Sequence, residues 1–261
     1  MSNDNWGQAA RFGLFIVGAE VVPEAEWWAM SPTGTSVHAA RISAPAPWAT
    51  WDSNGQTVTL APDVERGARQ FAAMKVSVAV MGHSSSSILG GAGWDDAVVA
   101  RLSEHLGTST SVTTNGDDCA RALRACGVRR PFVVFPAWFN DATIRAGQEY
   151  FERAGFDIAA TFRHVPEDRW AGVAPQDLYA RFMHIEQRID LLRDQILAEC
   201  PADADGVLIA GTGVRCVGII DALEAGLRRP VVTANQASLW RCLTLSGGEV
   251  PISGYGQLLS G

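Results

Sequence analysis

The chain has 261 residues, which suits one large domain or two small α/β lobes. Hydrophobic residues make up 47% of it and charged residues 19%, so the chain contains ample material for a buried core. The formal net charge is −7 and the 21 basic residues are scattered, which argues against a nucleic-acid-binding surface.

Short apolar runs alternate with longer stretches in which apolar residues recur at helical spacing. The runs predict buried strands and the longer stretches predict helices. The predicted strands cover residues 12–17, 76–81, 131–135, 206–209 and 230–233. The predicted helices cover residues 63–74, 95–106, 119–126, 143–154, 175–199, 217–225 and 236–245.

Continuous Val and Ile runs separated by helices are typical of parallel strands that are buried on both faces. We therefore predict an α/β fold of two similar doubly wound lobes, each a mostly parallel sheet flanked by helices, with the active site between them. The first lobe is predicted over residues 1–115 plus 235–261, and the second over residues 116–234. Residues 35–56 contain prolines and two tryptophans but little periodicity. They are predicted to form either a flap over a pocket or a surface loop held by its tryptophans.

The cysteines and the absence of long apolar runs favour a cytoplasmic protein. The five cysteines are odd in number and show no CxxC spacing, so neither a disulfide framework nor a zinc knuckle is expected. No HExxH or similar spacing occurs, and we predict no metal site. Residues 1–11 are polar, and no run approaches the roughly 18 apolar residues of a membrane span, so no membrane partner is expected.

Four loops follow predicted strands, where open α/β sheets bind their ligands. They cover residues 18–20, 82–91, 136–141 and 211–215.

The second of these loops contains Gly82, His83, Ser84 and Ser85. Small residues allow backbone N–H groups to converge on an anion, and the hydroxyl groups add donors. We predict a carboxylate-binding or oxyanion-stabilising loop, with Ser84 in a catalytic role and with Gly82 and Ser85 binding substrate. The alternative is a flexible Ser/Gly loop.

His83 is also a candidate general acid or base near neutral pH. The alternative is a structural histidine. The remaining histidines have no partner visible in the sequence and are interpreted as structural: His38, His105, His164 and His184.

Gly211, Thr212 and Gly213 repeat this design in the second half, where an apolar strand leads into a loop of small residues and then a helix. We predict that they bind the substrate, and the alternative is ordinary turn chemistry.

Glu20 follows the first strand in a stretch that is otherwise apolar or small. A carboxyl group in a partly dry cleft can have a raised pKa and act as a base. The alternative is a salt bridge or a helix N-terminal charge, which is the interpretation of Glu24 and Glu26.

Five segments occur in an order that matches a known family. They are residues 13–20 (GLFIVGAE), 80–90 (VMGHSSSSILG), 113–116 (TTNG), 211–224 (GTGVRCVGIIDALE) and 230–236 (PVVTANQ). Together they span nearly the whole chain. The chain resembles the aspartate/glutamate racemase superfamily, in the branch with maleate cis-trans isomerase and arylmalonate decarboxylase.

This resemblance implies cofactor-free chemistry at a carbon next to a carboxylate, which backbone N–H and hydroxyl donors hold. The resemblance also implies that the racemases and isomerases use two cysteines, one per half, whereas the decarboxylase keeps only the second and has glycine at the first. Gly82 falls at the first position and Gly211 at the second, so both thiols are replaced by glycine. Cys216 lies five residues further on and is interpreted as a small buried hydrophobe.

Three further positions follow from the resemblance. Trp138 falls where the family tends to place a tyrosine, and it is predicted to contact the substrate. Asn235 lies in the last of the five segments and is also predicted to bind substrate. Glu20 falls where maleate isomerases carry an asparagine, and its charge would suit a substrate with a cationic or hydrogen-bond-donating group.

These residues favour a cofactor-independent, decarboxylase-like lyase or isomerase that acts on a small carboxylic acid by a non-thiol mechanism. One alternative is a hydrolase or hydratase in which Glu20 or His83 activates water. Relatives in ectoine-utilisation gene sets resemble this branch, so a zwitterionic substrate would fit. The other alternative is a non-catalytic binder of small acids. The expected partner is a small carboxylate, and a homo-oligomer is possible.

Overall fold

The computed structural model describes residues 4–248 and 251–260, so the outer ends of the predicted first lobe lie outside the described residues. Two four-stranded parallel sheets and one antiparallel hairpin make up the strands. In chain order the strands are β1 (Ala10–Val17), β2 (Thr35–Ile42), β3 (Ala49–Trp51), β4 (Val58–Leu60), β5 (Val78–Met81), β6 (Ser111–Thr114), β7 (Pro131–Phe135), β8 (Ala160–Arg163), β9 (Gly206–Ile209) and β10 (Val231–Thr233).

Helices connect these strands. They are α1 (Val22–Met30), α2 (Pro62–Met74), α3 (Ser84–Gly90), α4 (Trp94–Leu106), α5 (Asn115–Ala125), α6 (Asp141–Arg153), α7 (Pro175–Ala180), α8 (Met183–Glu186), α9 (Ile189–Glu199), α10 (Ile220–Leu227), α11 (Ala234–Leu245) and α12 (Gln257–Ser260). Two 3₁₀ turns, Asp168–Trp170 and Val217–Ile219, complete the described elements.

The two parallel sheets have the same topology. The first sheet has the order β2-β1-β5-β6 and the second, taken from its other edge, has the order β8-β7-β9-β10. In each sheet, the strand that comes first along the chain (β1 or β7) therefore pairs with the next strand (β2 or β8) on one side. It pairs with the third strand of that sheet (β5 or β9) on the other side. The prediction of an α/β fold with two similar parallel sheets is confirmed. The predicted lobe boundaries at 115/116 and 234/235 stay predictions.

One apolar cluster joins the two sheets. Phe12, Leu14 and Val80 of the first sheet belong to the same buried cluster as Phe132 and Ile209 of the second. Strands that carry apolar residues on both faces can pack against helices and against this shared core at once. The two halves therefore exclude water from a common interior.

The predicted continuous helix over residues 175–199 is wrong. The structure divides it into α7, α8 and α9. Phe182 has a left-handed backbone conformation with φ of 63°, and Gln187 has extended backbone, so neither position continues a helix. The apolar spacing survives the breaks, with Leu178, Leu192 and Ile196 all buried, and for this reason the periodicity alone predicted a single helix.

Residues 35–56 are also more ordered than predicted. They contain the edge strand β2 and the hairpin strand β3, both missed because neither has a continuous run of large apolar residues. Trp51 holds the segment against α3, because its Nε1 donates to the Gly90 carbonyl, and Trp48 Nε1 donates to the Ala44 carbonyl within the segment. The predicted loop over residues 82–91 is mostly the helix α3.

None of the helices in the described part of the chain has the length and apolar character needed to cross a membrane.

Candidate active site

A cleft of about 350 Å³ lies at the carboxyl ends of the central strands of both sheets. Loops that follow β1 and β5 contribute Glu20, His83 and Ser84. Loops that follow β7 and β9 contribute the facing wall, which includes Trp138 and Thr212. Parallel strands end at the same edge of a sheet, and so these loops converge although they are far apart in sequence.

Glu20 is buried against the wall of this cleft, with only 3% of its surface exposed. Burial raises the pKa of Glu20 from 4.5 to about 7, and the negative charge of Glu26 adds to the increase. The hydroxyl groups of Tyr179 and Thr212 and the charge of Arg41 act in the opposite direction and lower this pKa. The carboxyl group therefore changes charge near neutral pH, as a proton-transfer group must.

The loop after β9 is shaped around this carboxyl group. Thr212 Oγ1 lies 3.5 Å from Glu20 Oε2. A Cβ atom at Gly213 would collide with Glu20 Oε1 and lie 3.2 Å from the Trp138 ring. Only a glycine at position 213 permits the carboxyl group to lie against the loop.

His83 stays neutral in this structure. Burial lowers the pKa of His83 to about 3, so the imidazole is a poor base near neutral pH, contrary to the sequence hypothesis. Its ring stacks on Trp48 with centroids 4.2 Å apart, and Nδ1 lies 2.9 Å from Ser86 Oγ. The Ser86 hydroxyl accepts from the Trp48 backbone N–H, and among the described residues Nδ1 is the one hydrogen-bond acceptor found for the Ser86 hydrogen. This assigns the ring hydrogen to Nε2, and His83 is a neutral donor.

Ser84 and Ser85 line the cleft at the start of α3. The Ser84 hydroxyl donates to Asn115 Oδ1 at 2.5 Å and not into the cleft. This corrects the expectation that the Ser84 hydroxyl supplies a donor to the ligand. Asn115 was not singled out from the sequence, because the contact joins residues 31 positions apart.

Backbone N–H groups supply the donors instead. Among the described residues, the N–H groups of Ser84 and Ser85 on one side, and of Thr212 and Gly213 on the other, have no hydrogen-bond partner. The first N–H groups of a helix and of a glycine-rich turn lack a partner within their own element. Both halves therefore offer N–H donors beside the cleft, as the sequence predicted.

Aromatic side chains form much of the remaining wall. Trp138 lines the cleft together with Trp48, Phe139 and Tyr179. The sequence analysis missed Tyr179, because it lies on α7 within the predicted long helix and no local pattern marks it. Its hydroxyl is near Glu20 but makes no well-aligned hydrogen bond with it.

Other predicted residues lie behind the cleft. Gly82 and Asn235 are not among the residues that line it. Asn235 Nδ2 instead donates to Glu26 Oε2 at 2.7 Å and to the Thr212 carbonyl at 2.9 Å. Asn235 thus holds the Thr212 loop from behind and does not contact the cleft.

Glu24 and Glu26 were both interpreted as a salt bridge or a charge at the N-terminus of their helix. This interpretation is confirmed for Glu24 and wrong for Glu26. Glu24 forms an ion pair with Arg41 at the first turn of α1. Glu26 is buried, and its Oε1 accepts from the backbone N–H groups of Cys216 and Val217. The carboxyl group satisfies the start of the second-half helical segment, a partner that lies 190 residues away in sequence.

Gly82 and Gly211 have surroundings that leave no space for a side chain. A Cβ atom at Gly82 would lie 2.7 Å from the Phe15 carbonyl oxygen. Gly211 has φ of +97°, and a Cβ atom there would lie 2.5 Å from Pro136 Cγ. None of the described residues that line the cleft is a cysteine, and Cys216 is a buried thiol whose pKa is raised by burial.

In the described part of the chain, no group of three or more His, Cys, Asp or Glu side chains is arranged to hold a metal ion.

Comparison with known proteins relates this geometry to one family. The family model described as arylmalonate decarboxylase matches residues 54–259. The maleate isomerase Iso from Pseudomonas putida S16 is 20% identical, with 97% of this chain and 98% of that chain covered and a TM-score of 0.78. A search of curated proteins finds no match.

Two further solved structures are similar. The Nocardia farcinica maleate cis-trans isomerase bound to TRIS is 17% identical, with 96% of this chain and 98% of that chain covered and a TM-score of 0.76. A glycine-to-cysteine mutant of arylmalonate decarboxylase is 20% identical, with 96% of this chain and 100% of that chain covered and a TM-score of 0.72. At these identities the solved structures establish the fold, and the predicted branch of the racemase superfamily is confirmed together with the family match.

Proposed function

Because the chain belongs to the arylmalonate decarboxylase family, we propose that it is a cofactor-independent lyase or isomerase. Its proposed substrate is a small carboxylic acid, and the reaction takes place at the carbon next to the carboxylate without a thiol. The observation that carries this proposal is Glu20, a buried carboxyl group in the cleft whose pKa is raised to about 7.

Glu20 is the proposed proton-transfer group. With a pKa near the working pH, the carboxylate form takes a proton from the carbon next to the substrate carboxylate, and the acid form returns one. In a decarboxylation, the bond to CO₂ breaks first and the acid form protonates the carbon that is left. Both reactions need one group that exchanges a proton close to neutral pH.

The negative charge that develops on the substrate oxygen requires donors. The N–H groups of Ser84 and Ser85, and those of Thr212 and Gly213, border the cleft without partners among the described residues. Fixed N–H groups in a water-poor site stabilise an enediolate without having to reorient. Neutral His83 adds a ring N–H on the same wall.

A non-thiol mechanism is supported by the glycines. One similar structure is a mutant of the Nocardia farcinica isomerase with a covalently bound succinylcysteine intermediate. Gly82 and Gly211 have no room for a Cβ atom without rearrangement. A carboxyl base accounts for proton transfer in a cleft that no cysteine of the described residues lines.

The test is to incubate the full chain in D₂O with phenylmalonate, maleate and a panel of small 2-amino and 2-hydroxy acids. We expect one acid to release CO₂ or to gain deuterium at the carbon next to its carboxylate, followed by NMR. Glu20→Gln should lower that rate by at least about 100-fold. Glu104→Gln, which changes an exposed glutamate on α4, is the control and should leave the rate unchanged.

Other results would contradict the proposal in distinct ways. Uptake of labelled oxygen from water indicates a hydratase or hydrolase that uses Glu20 to activate water. An acid that raises the melting temperature but is never consumed indicates a non-catalytic binder. An unchanged rate in Glu20→Gln excludes Glu20 from the mechanism.

A further inference from the structure

We infer that Asn115 fixes Ser84 as a hydrogen-bond acceptor toward the cleft, so that the site selects acids that present an N–H or O–H group to Ser84. The proposal rests on the proposed function for the identity of the ligand as a small acid. It concerns the non-carboxylate part of that ligand, and it makes Asn115 a positioning residue that acts through Ser84.

The orientation of the Asn115 amide is determined by its partners. Asn115 is fully buried, and its Nδ2 donates to the Ala234 carbonyl at 2.8 Å and to Ser238 Oγ at 3.0 Å. A carbonyl oxygen only accepts, so the amide nitrogen and not the amide oxygen must face Ala234. This assignment does not depend on the protonation state of Asp118, which lies beyond Ser238 in the same network.

The orientation of Asn115 in turn decides the orientation of the Ser84 hydroxyl. Ser84 Oγ lies 2.5 Å from Asn115 Oδ1, and an amide oxygen carries no hydrogen. The hydrogen between the two atoms therefore belongs to Ser84. If the hydroxyl turned into the cleft, buried Asn115 Oδ1 would keep only the weak donor Cys119 Sγ, which lies 3.9 Å away.

The lone pairs of Ser84 Oγ are then what a ligand meets. Ser84 lines the cleft, and no donor within the described residues forms a hydrogen bond to its hydroxyl oxygen. A carboxylate oxygen placed against Ser84 Oγ would bring acceptor against acceptor. An amide, amine or hydroxyl group of the ligand would instead donate to it.

Glu20 favours the same ligand chemistry. Its ionised form is a second acceptor in the same cleft, and neutral His83 does not offset its charge. The substrate carboxylate is left to the backbone N–H groups. The class of substrate that fits is a small acid whose other polar group is a hydrogen-bond donor, with nitrogen-bearing acids as its simplest members.

A neutron diffraction map of the full chain in D₂O tests the first step. We expect the deuterium of the Ser84 hydroxyl on the line to Asn115 Oδ1. A deuterium that points into the cleft would overturn the inference, whatever acids the protein binds.

Binding of two matched acids tests the selection. Succinamate carries an amide NH₂ group where levulinate carries a methyl group, and the two acids are otherwise the same. The difference in their affinities therefore measures the effect of a hydrogen-bond donor on the ligand. We expect the protein to bind succinamate about tenfold more tightly in calorimetry. Asn115→Ala should lose this preference, because the Ser84 hydrogen is then free to turn. Ser238→Ala, which removes another partner of Asn115 and leaves Ser84 held, should keep it.

Equal or tighter binding of levulinate by the wild-type chain would overturn the inference while leaving the proposed function intact. Failure of both acids to bind, together with no turnover of any acid, would count against the proposed function, and the neutron map then decides the orientation of Ser84 by itself. If Asn115→Ala does not fold, the affinities of the wild-type chain for the two acids and the neutron map still decide whether the inference holds.

Discussion

At the scale of single residues, Glu20 shows how burial and chemistry are linked. The cost of removing the carboxylate from water raises its pKa to about 7, and hydroxyl groups of Tyr179 and Thr212 limit the increase. A carboxyl group on an open surface would keep its charge and would be a weak base near neutral pH. The same burial that makes Glu20 useful as a base makes its ionised form unfavourable for folding.

Glu20→Gln should therefore change the pH dependence of stability. The folded-state pKa of about 7 lies above the ordinary value of 4.5, so the folded chain holds this proton more tightly than the unfolded chain. The stabilisation of the folded state by this group is complete below the unfolded-state pKa of 4.5 and is lost as the pH rises through the folded-state pKa of about 7. The free energy of unfolding falls by about 3 kcal/mol over this range. Urea unfolding of wild type and Glu20→Gln at about pH 5 and about pH 8 measures it. Parallel pH dependence of the two proteins would contradict the pKa of Glu20.

Gly213→Ala tests the close approach of the loop to Glu20. The added Cβ atom collides with Glu20 Oε1, so the carboxyl group must move. We expect a loss of turnover on the order of 100-fold with folding retained, because small displacements of a reacting group are costly. Gly218→Ala is a matched control, since the nearest atom to its Cβ is Ile189 Cδ1 at 4.0 Å. Equal activity of the two variants would show that the contact at Gly213 is unimportant.

At the scale of elements, breaks in the helix that was predicted over residues 175–199 bring His184 against Tyr179. The left-handed conformation of Phe182 ends the turn that follows α7, and Tyr179 on α7 reaches the cleft beside Glu20. His184 on α8 stacks on the Tyr179 ring with centroids 4.4 Å apart. On a continuous helix over residues 175–199, His184 would follow Tyr179 by five positions, and the two side chains would point to different faces.

Tyr179→Phe should raise the pKa of Glu20, because the hydroxyl that lowers it is removed. If Glu20 acts as the base, activity rises as the pH passes through its pKa, and the midpoint of that rise should move to higher pH in the variant. The measurement is the pH profile of kcat/KM. Tyr255→Phe removes a hydroxyl that donates to the Ala29 carbonyl and serves as the control with an unchanged midpoint. A midpoint that stays or falls in Tyr179→Phe would contradict the contact.

At the scale of the whole molecule, a shared apolar core and buried polar contacts hold the two sheets together, and one group of these contacts forms a junction centred on Glu26. Glu26 on α1 accepts hydrogen bonds from Cys216 and Val217 in the second half and from Asn235 at the start of α11. Asn235 also donates to the Thr212 carbonyl. The junction therefore connects first-half packing to the position of a loop that borders the cleft.

Glu26→Ala should destabilise the protein by about 2–4 kcal/mol, since three donors lose a buried acceptor. Glu24→Ala removes an exposed partner of Arg41 on the same helix and should cost less than about 1 kcal/mol. Chemical unfolding of both variants provides the comparison. Similar losses would show that the buried junction contributes no more than a surface ion pair.

Much of the fold follows from local patterns. Val and Ile runs predicted the central strands of both sheets, and the matches at Pro131–Phe135 and Gly206–Ile209 extend to the strand ends. A strand that is buried on both faces carries its signal in its own residues. The edge strands β2 and β8 were missed because neither contains a continuous run of Val and Ile. The loops after the central strands could be predicted as a site because parallel strands end at one edge of the sheet.

The sequence by itself determined the central strands, the loops that meet at the cleft, and Glu20, His83 and Ser84 as the residues to inspect. Only the tertiary structure decided what those residues do. It brought Tyr179 to Glu20 and aimed the Ser84 hydroxyl at Asn115, and it placed Asn235 and Glu26 behind the cleft. The physical reason is that strand and helix patterns depend on neighbours in sequence. A pKa or a hydroxyl orientation depends on burial and on partners that can lie more than 200 residues away, as Asn235 lies 209 residues from Glu26.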